Sequence, residues 1–174
     1  MALATHAMHV VNTPSGAVHV RCWESSSSEA TTMALTVVTV HPWATLGGGE
    51  HNCLGIAKLL AAKGVRTLTF DLHASSMVWG VLTNHRKELA QITAVCSWAA
   101  DQFGGDVALF GSSAGAPMAG AVLPKLDVIS RFVAVGYTFG WLSSIVFVTH
   151  PKGRLHGWKA GSTTPSMTVV ASGL

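Results

Sequence analysis

Apolar and polar positions change rhythm several times along the chain, and each change marks an element. Over residues 7 to 24 the runs AMHVV and AVHVRCW are joined by Asn-Thr-Pro-Ser-Gly, whose Pro and Gly suit a turn. The pattern predicts that a β-hairpin opens the chain. The polar stretch ESSSSEATT then makes a loop. LTVVTVHP, residues 35 to 42, is a continuous β-branched run of the kind buried on both faces of a sheet. NCLGIAKLLAAKG follows, with Leu54, Ile56, Leu59 and Leu60 at helical spacing and Gly64 at the place of a helix C-cap.

The alternation continues with VRTLTFDL at 65 to 72 as a strand and RKELAQITAVCSWAADQF at 86 to 103 as a helix. That helix carries Leu89, Ile92, Val95, Cys96 and Trp98 broadly on one side. DVALFG is the next strand, 115 to 123 the next helix and RFVAVG, 131 to 136, a further strand. Strands and helices in this order imply right-handed crossovers and an α/β fold, a mostly parallel sheet with helices on both faces behind the N-terminal hairpin. Beyond residue 149 the rhythm stops. The last 26 residues are rich in Gly, Ser, Thr and Pro and offer one weak strand candidate, SMTVVAS. The expected organisation is one domain over residues 1–148 and a low-complexity, mobile tail over 149–174; a chain of 174 residues buries one sizeable core.

Composition narrows the function classes. The chain is 49% hydrophobic and 11% charged, far from the profile of a disordered protein. Its formal charge of +3 is spread over 11 Lys and Arg with no dense run, which argues against nucleic-acid binding. Cys22, Cys53 and Cys96 are widely spaced and contain no C-x-x-C pair, so reduced thiols and a cytoplasmic setting are expected. The N-terminus has no basic stretch ahead of an apolar one, so no secretory signal is read there. Residues 132 to 148 carry no charge, but their Gly, Tyr, Thr and paired Ser suit a buried strand and loop better than a membrane span.

Candidate chemistry sits in DVALFGSSAGAPMAG, residues 106 to 120. A strand reversing into a helix within a few residues crowds the positions two before and two after Ser113, and Gly111 and Gly115 occupy both. Such a turn is a nucleophile elbow. It projects the serine hydroxyl from the carboxyl end of the sheet beside a helix N-terminus, whose N–H groups and dipole favour a developing oxyanion. Pro117 falls in the first turn of the helix, where its missing donor costs little. A hydrolase of this design needs a second backbone donor from the loop after an earlier strand. Here that loop is His41-Pro42-Trp43-Ala44-Thr45-Leu46-Gly47-Gly48-Gly49.

On HPWATLGGGEHN, LAAKGVRTLTFDLHA and VALFGSSAGA, in this order and at these separations, the chain resembles the α/β-hydrolase superfamily, particularly its small dienelactone-hydrolase-like and serine-aminopeptidase-like members. The resemblance covers about residues 8 to 140. It implies an α/β-hydrolase fold and a serine hydrolase acting on a small ester, amide or related acyl substrate, with no cofactor. Ser113 would be the nucleophile, and the turn from Ser112 to Ala114, with the 42 to 49 loop including Pro42, Trp43, Gly47 and Gly48, would form the oxyanion hole. The N–H of Ala114 would be one donor. Where relatives often carry Arg-Gly after the Phe-Asp pair, this chain has His73-Ala74.

The family order of nucleophile, acid and histidine is not completed. After Ser113 the one acidic residue is Asp127, which precedes a strand and so belongs at the amino-terminal edge of the sheet. His150 and His156 follow and offer a general base in principle. Without an orienting carboxylate an imidazole loses tautomer control, so a weak or inactive serine hydrolase is expected, with a noncatalytic, truncated or diverged α/β-hydrolase-like binding protein as the alternative. With the C-terminal part of the fold incomplete, the strand at 131 to 136 would become an exposed sheet edge, giving poor solubility or a homodimer.

Several residues have a plainer reading. Asp71 is a cap or loop partner before it is the acid of a shifted triad. His41 either orients the oxyanion loop or is a satisfied structural histidine. Gly47, Gly48 and Gly49 lack the surrounding signature of a phosphate-binding loop, and His51 with Cys53 lacks the partners of a metal site, so no metal is expected. Trp43 and Trp79 line an acyl pocket or merely pack.

Overall fold

The computed structural model describes residues 3–26, 34–42, 48–73 and 85–136, and the backbone of 166–170. The hairpin consists of β1, Ala4–Thr13, and β2, Gly16–Ser25. The order then runs β3, Leu35–Val40; α1, Leu54–Ala62; β4, Arg66–Phe70; α2, Arg86–Phe103; β5, Asp106–Ser112; α3, Gly115–Val122; β6, Ile129–Val135; and β7, Ser166–Val170. The strands form a seven-stranded sheet in the order β1-β2-β4-β3-β5-β6-β7. β2 runs antiparallel to both β1 and β4, and every other neighbouring pair is parallel. The expected α/β architecture with its opening hairpin is therefore the observed one.

The direction of each crossover sets the layers. From β3 the chain steps one way to β4, and from β4 through β5 to β6 it steps the other way. Right-handed connections then put α1 on one face and α2 and α3 on the opposite one. Packing agrees: α1 contributes Ala57 and Ala61 to a small cluster with Trp23, while α2 and α3 cover the main core. Five of the six β3 residues are buried, as a strand covered on both faces requires. On α2 the buried positions Leu89, Ile92, Val95, Cys96 and Ala99 follow the 3.6-residue period onto Leu68, Phe70 and Leu109 of the sheet. α1 ends as expected: the N–H of Gly64 donates to Ala61 O at 2.9 Å and that of Val65 to Leu60 O at 3.0 Å, the paired bonds of a Schellman cap.

One expectation fails. The strand at 131 to 136 is not an edge, because β7 pairs in parallel with Arg131 through Val135. Part of the presumed low-complexity tail thus supplies a sheet strand; its Met-Thr-Val-Val run has the β-propensity to do so. Within the apolar segment 132 to 148, residues 132–135 belong to β6, and no described helix is long and apolar enough to cross a membrane. Cys22, Cys53 and Cys96 are free and buried, and burial pushes the Cys22 thiol up to about 11 and that of Cys96 to about 12.

Phe132 on β6 is fully buried in the main core. Phe132→Ala is expected to lower the unfolding free energy by about 3–5 kcal/mol, seen as a lower urea midpoint at unchanged slope.

Candidate active site at the carboxyl end of the sheet

β5 delivers the chain to the site and α3 takes it away. Between them Ser113 has φ 51°, in the left-handed region that L-residues with a side chain seldom occupy. It is one of two such residues among those described; the other, His85, precedes α2. The conformation is held from both sides: the N–H of Ser113 donates to Val135 O at 2.8 Å, and that of Ala116 to Ser113 O at 3.0 Å. Ser113 itself is exposed, with Ser112 half-buried and Ala114 buried beside it.

The two flanking glycines are sterically required. A Cβ on Gly111 would stand 2.5 Å from Ala116 Cα, and one on Gly115 would stand 2.5 Å from His41 O. Real Cβ contacts do not approach so closely, and both obstacles are backbone. Glycine at these positions lets the first turn of α3 lie against the ends of β3 and β5, which puts Ser113 at the helix N-terminus as the sequence predicts.

β3 brings the second wall. Its ladder with β5 pairs Val40 with Gly111, so His41 comes level with the turn. The His41 ring is 2% exposed and both nitrogens bond to backbone: Nε2 accepts the Leu72 N–H at 2.9 Å, and Nδ1 lies 2.5 Å from Pro42 O. An accepting Nε2 requires the proton on Nδ1, which donates to Pro42 O, so the ring is the neutral Nδ1–H tautomer. Burial lowers its pKa from 6.5, against smaller opposing effects of Pro42 O and Asp71. His41 is thus a structural tie between the end of β3 and the exit of β4.

Polar bonds hold the far end of the loop as well. Asp71 Oδ1 accepts the Glu50 N–H at 2.7 Å and lies 3.9 Å from His41 Nε2, while the side chain stays mostly exposed. Asn52 Oδ1 accepts the Gly49 N–H at 2.9 Å, which removes that donor from any phosphate or oxyanion. The Thr69 hydroxyl donates to the Glu50 carboxylate and accepts from Trp23 Nε1 at 2.9 Å. Gln91 Oε1 accepts the His73 N–H at 3.0 Å.

The structure therefore brings Ser112, Ser113, Ala114, His41 and Pro42 to one end of the sheet. Gly48 enters from the same loop. Asp71 is on β4's exit, separated from β5 by the whole of β3, about 10 Å across the sheet, and its carboxylate holds Glu50 and faces His41. Asp127 is exposed and lies just before β6, whose start pairs with Val107 while Val135 pairs with Ser112; this places it at the opposite end from Ser113. Trp43, Gly47, Trp79, His150 and His156 lie outside the described residues. Glu50, Asn52, Thr69 and Gln91 were not singled out by the sequence reading. The sequence carries only faint signals for them, a glutamine beside Ile92 in the apolar pattern of α2 and the alternating Thr67 and Thr69 of β4, all three of which are buried.

No model of a known protein family matches the chain, and no curated protein sequence does. Solved structures do match. An α/β serine hydrolase without a lid from Xanthomonas campestris superposes with a TM-score of 0.64 at 16% identity, over 96% of this chain and 84% of that one. An α/β serine hydrolase homologue from Coxiella burnetii gives 0.65 at 17% identity, over 95% and 86%. An esterase from Pyrobaculum calidifontis gives 0.66 at 13%, over 95% and 65%. The fold is that of the α/β hydrolases, as the three quoted motifs implied.

His41→Ala leaves the Leu72 N–H without its buried partner and is expected to cost about 1–3 kcal/mol. Because the folded-state pKa of His41 lies below 6.5, its unfolded form binds the extra proton. Stability from this group is complete above pH 6.5 and is lost as pH falls from 6.5 towards the lowered value. Urea midpoints of both proteins at pH 7.5 and 5.5 should show a smaller acid loss in the variant; an equal loss would contradict the assignment.

Proposed function

We propose that the protein is a serine hydrolase of ester or other acyl bonds in which Ser113 is the nucleophile. One observation carries the reading: an exposed serine held at φ 51° between two glycines that cannot bear a side chain, at the N-terminus of α3. Strain of about 1–3 kcal/mol at a single residue persists only where the surroundings impose it, and it gathers at functional sites.

In the proposed reaction Ser113 Oγ attacks the acyl carbon as its proton passes to an imidazole. The carbonyl π pair moves onto oxygen, and that oxyanion accepts the N–H of Ala114 and a donor from the loop after Pro42. Collapse expels the alcohol or amine, which takes the proton from the imidazolium, and water repeats the cycle to release the acid. The base in this scheme is His150 or His156, since both ring nitrogens of His41 are engaged and its burial resists protonation. No carboxylate orients that base in the scheme, because Asp71 holds Glu50 and Asp127 is at the other end of the sheet. Loss of the orienting acid lowers turnover by about four orders of magnitude in the well-studied triads, so slow turnover is expected. The same missing acid favours a second reading, a noncatalytic binding protein on this fold.

A fluorophosphonate probe followed by intact mass separates the two. The hydrolase reading expects one adduct on the full chain, none on Ser113→Ala, and loss with one of His150→Ala and His156→Ala. A folded protein that takes no adduct would leave the binding-protein reading.

A further inference from the structure

Among the described residues the sheet has two open ends, β1 and β7. β1 is the longer, ten residues against five. Its sequence, ATHAMHVVNT, contains no Pro, Lys, Arg, Asp or Glu, the residues with which edge strands discourage pairing.

The hairpin register shows which backbone groups β1 leaves open. The Ser26 N–H donates to Leu3 O at 2.8 Å, so Leu3 and Ser26 are a hydrogen-bonded pair one step beyond Ala4 and Ser25. Hydrogen-bonded and non-bonded pairs alternate along an antiparallel ladder. Odd-numbered residues of β1 therefore bond to β2, and Ala4, His6, Met8, Val10 and Asn12 direct both N–H and C=O outwards. Met8 and Val10 also expose 53% and 57% of their surface on one face of this edge. On the α2 side of β1, by contrast, His9 lies against Trp98 at 5.2 Å and Val11 is buried.

We propose that β1 is a self-association edge, and that a second copy of this chain pairs with it antiparallel about a two-fold axis through Met8. In that register Met8 lies opposite Met8 of the second copy, His6 opposite Val10 and Ala4 opposite Asn12. Every outward-facing residue then meets another, and each opposed pair exchanges two backbone bonds. The strand is self-complementary: with no formal charge along it, the two-fold sets no like charges against each other, and the exposed Met8 and Val10 side chains close into one apolar stripe. His6 does not obstruct the approach, since its ring lies against Trp23 of its own sheet, tilted by 40° with the ring centres 4.7 Å apart. The proposal moves the association expected at residues 131 to 136 to the opposite end of the sheet, and it is independent of any catalytic activity.

Sedimentation equilibrium of the full chain at pH 7.5, at concentrations on the order of 100 μM, tests it. The expected mass is twice 18.1 kDa, falling to 18.1 kDa in Met8→Lys/Val10→Lys with an unchanged far-UV spectrum. Amide exchange on the unaltered protein gives a readout that needs no variant. The amides of His6, Met8, Val10 and Asn12 should slow about tenfold or more in the concentrated sample relative to a dilute one, while those of Ala7, His9 and Val11 stay protected in both. A monomer throughout the range, a dimer that survives the double substitution, or even-numbered amides indifferent to concentration would overturn the proposal.

Discussion

The site depends on one close approach, that of the first turn of α3 to the ends of β3 and β5. The contact is backbone on backbone: Gly111 against Ala116, and Gly115 against the carbonyls of Val40 and His41. Nothing larger than hydrogen fits at either position. With the helix start fixed this near the sheet, the chain has room for only a short, left-handed reversal, and Ser113 is the residue that occupies it. Its exposure is a consequence of that reversal, as is its place beside the positive end of the helix dipole.

The same approach explains the polar chemistry around His41. Backbone groups buried where the helix meets the ends of the strands need partners within the protein. His41 serves two of them from one buried ring, which is possible only while it is neutral. Asp71 and Asn52 serve the Glu50 and Gly49 amides at the other end of the loop. The Asp71 carboxylate is thus used to anchor backbone.

Much of this was legible in the sequence because its cause is local. The β-branched run of β3, the helical spacing of α2 and the paired glycines around Ser113 each report a constraint that acts within a few residues. What was not legible depends on residues distant in sequence. Whether His41 is free or engaged is decided by Leu72, thirty-one positions away, and the burial of Thr69 becomes sensible only beside Glu50 and Trp23. Likewise SMTVVAS is a weak strand candidate taken alone, and its pairing with β6 is a tertiary fact. Edge strands are the hardest to assign, because the alternation of apolar residues that marks a strand is silent about what lies beside it.

The division between β-sheet core and later loops also sets what the fold can and cannot guarantee. The turn at Ser113, the wall at His41 and the buried Ala114 are built by β3, β5 and α3, whose buried apolar residues belong to the main core. Electrostatic stabilisation of an oxyanion depends on such preorganised groups and is usually the largest single contribution to acyl transfer. On the proposed reading, general-base catalysis depends instead on His150 or His156, and Asp127 is the one acidic residue between Ser113 and these histidines. Strain at Ser113 opposes folding and is offset locally, by the close approach of α3 to the sheet and by the backbone bonds that Ser113 makes to Val135 and Ala116. On the proposed reading, the rigid half of the site is thus built independently of the half that would move protons.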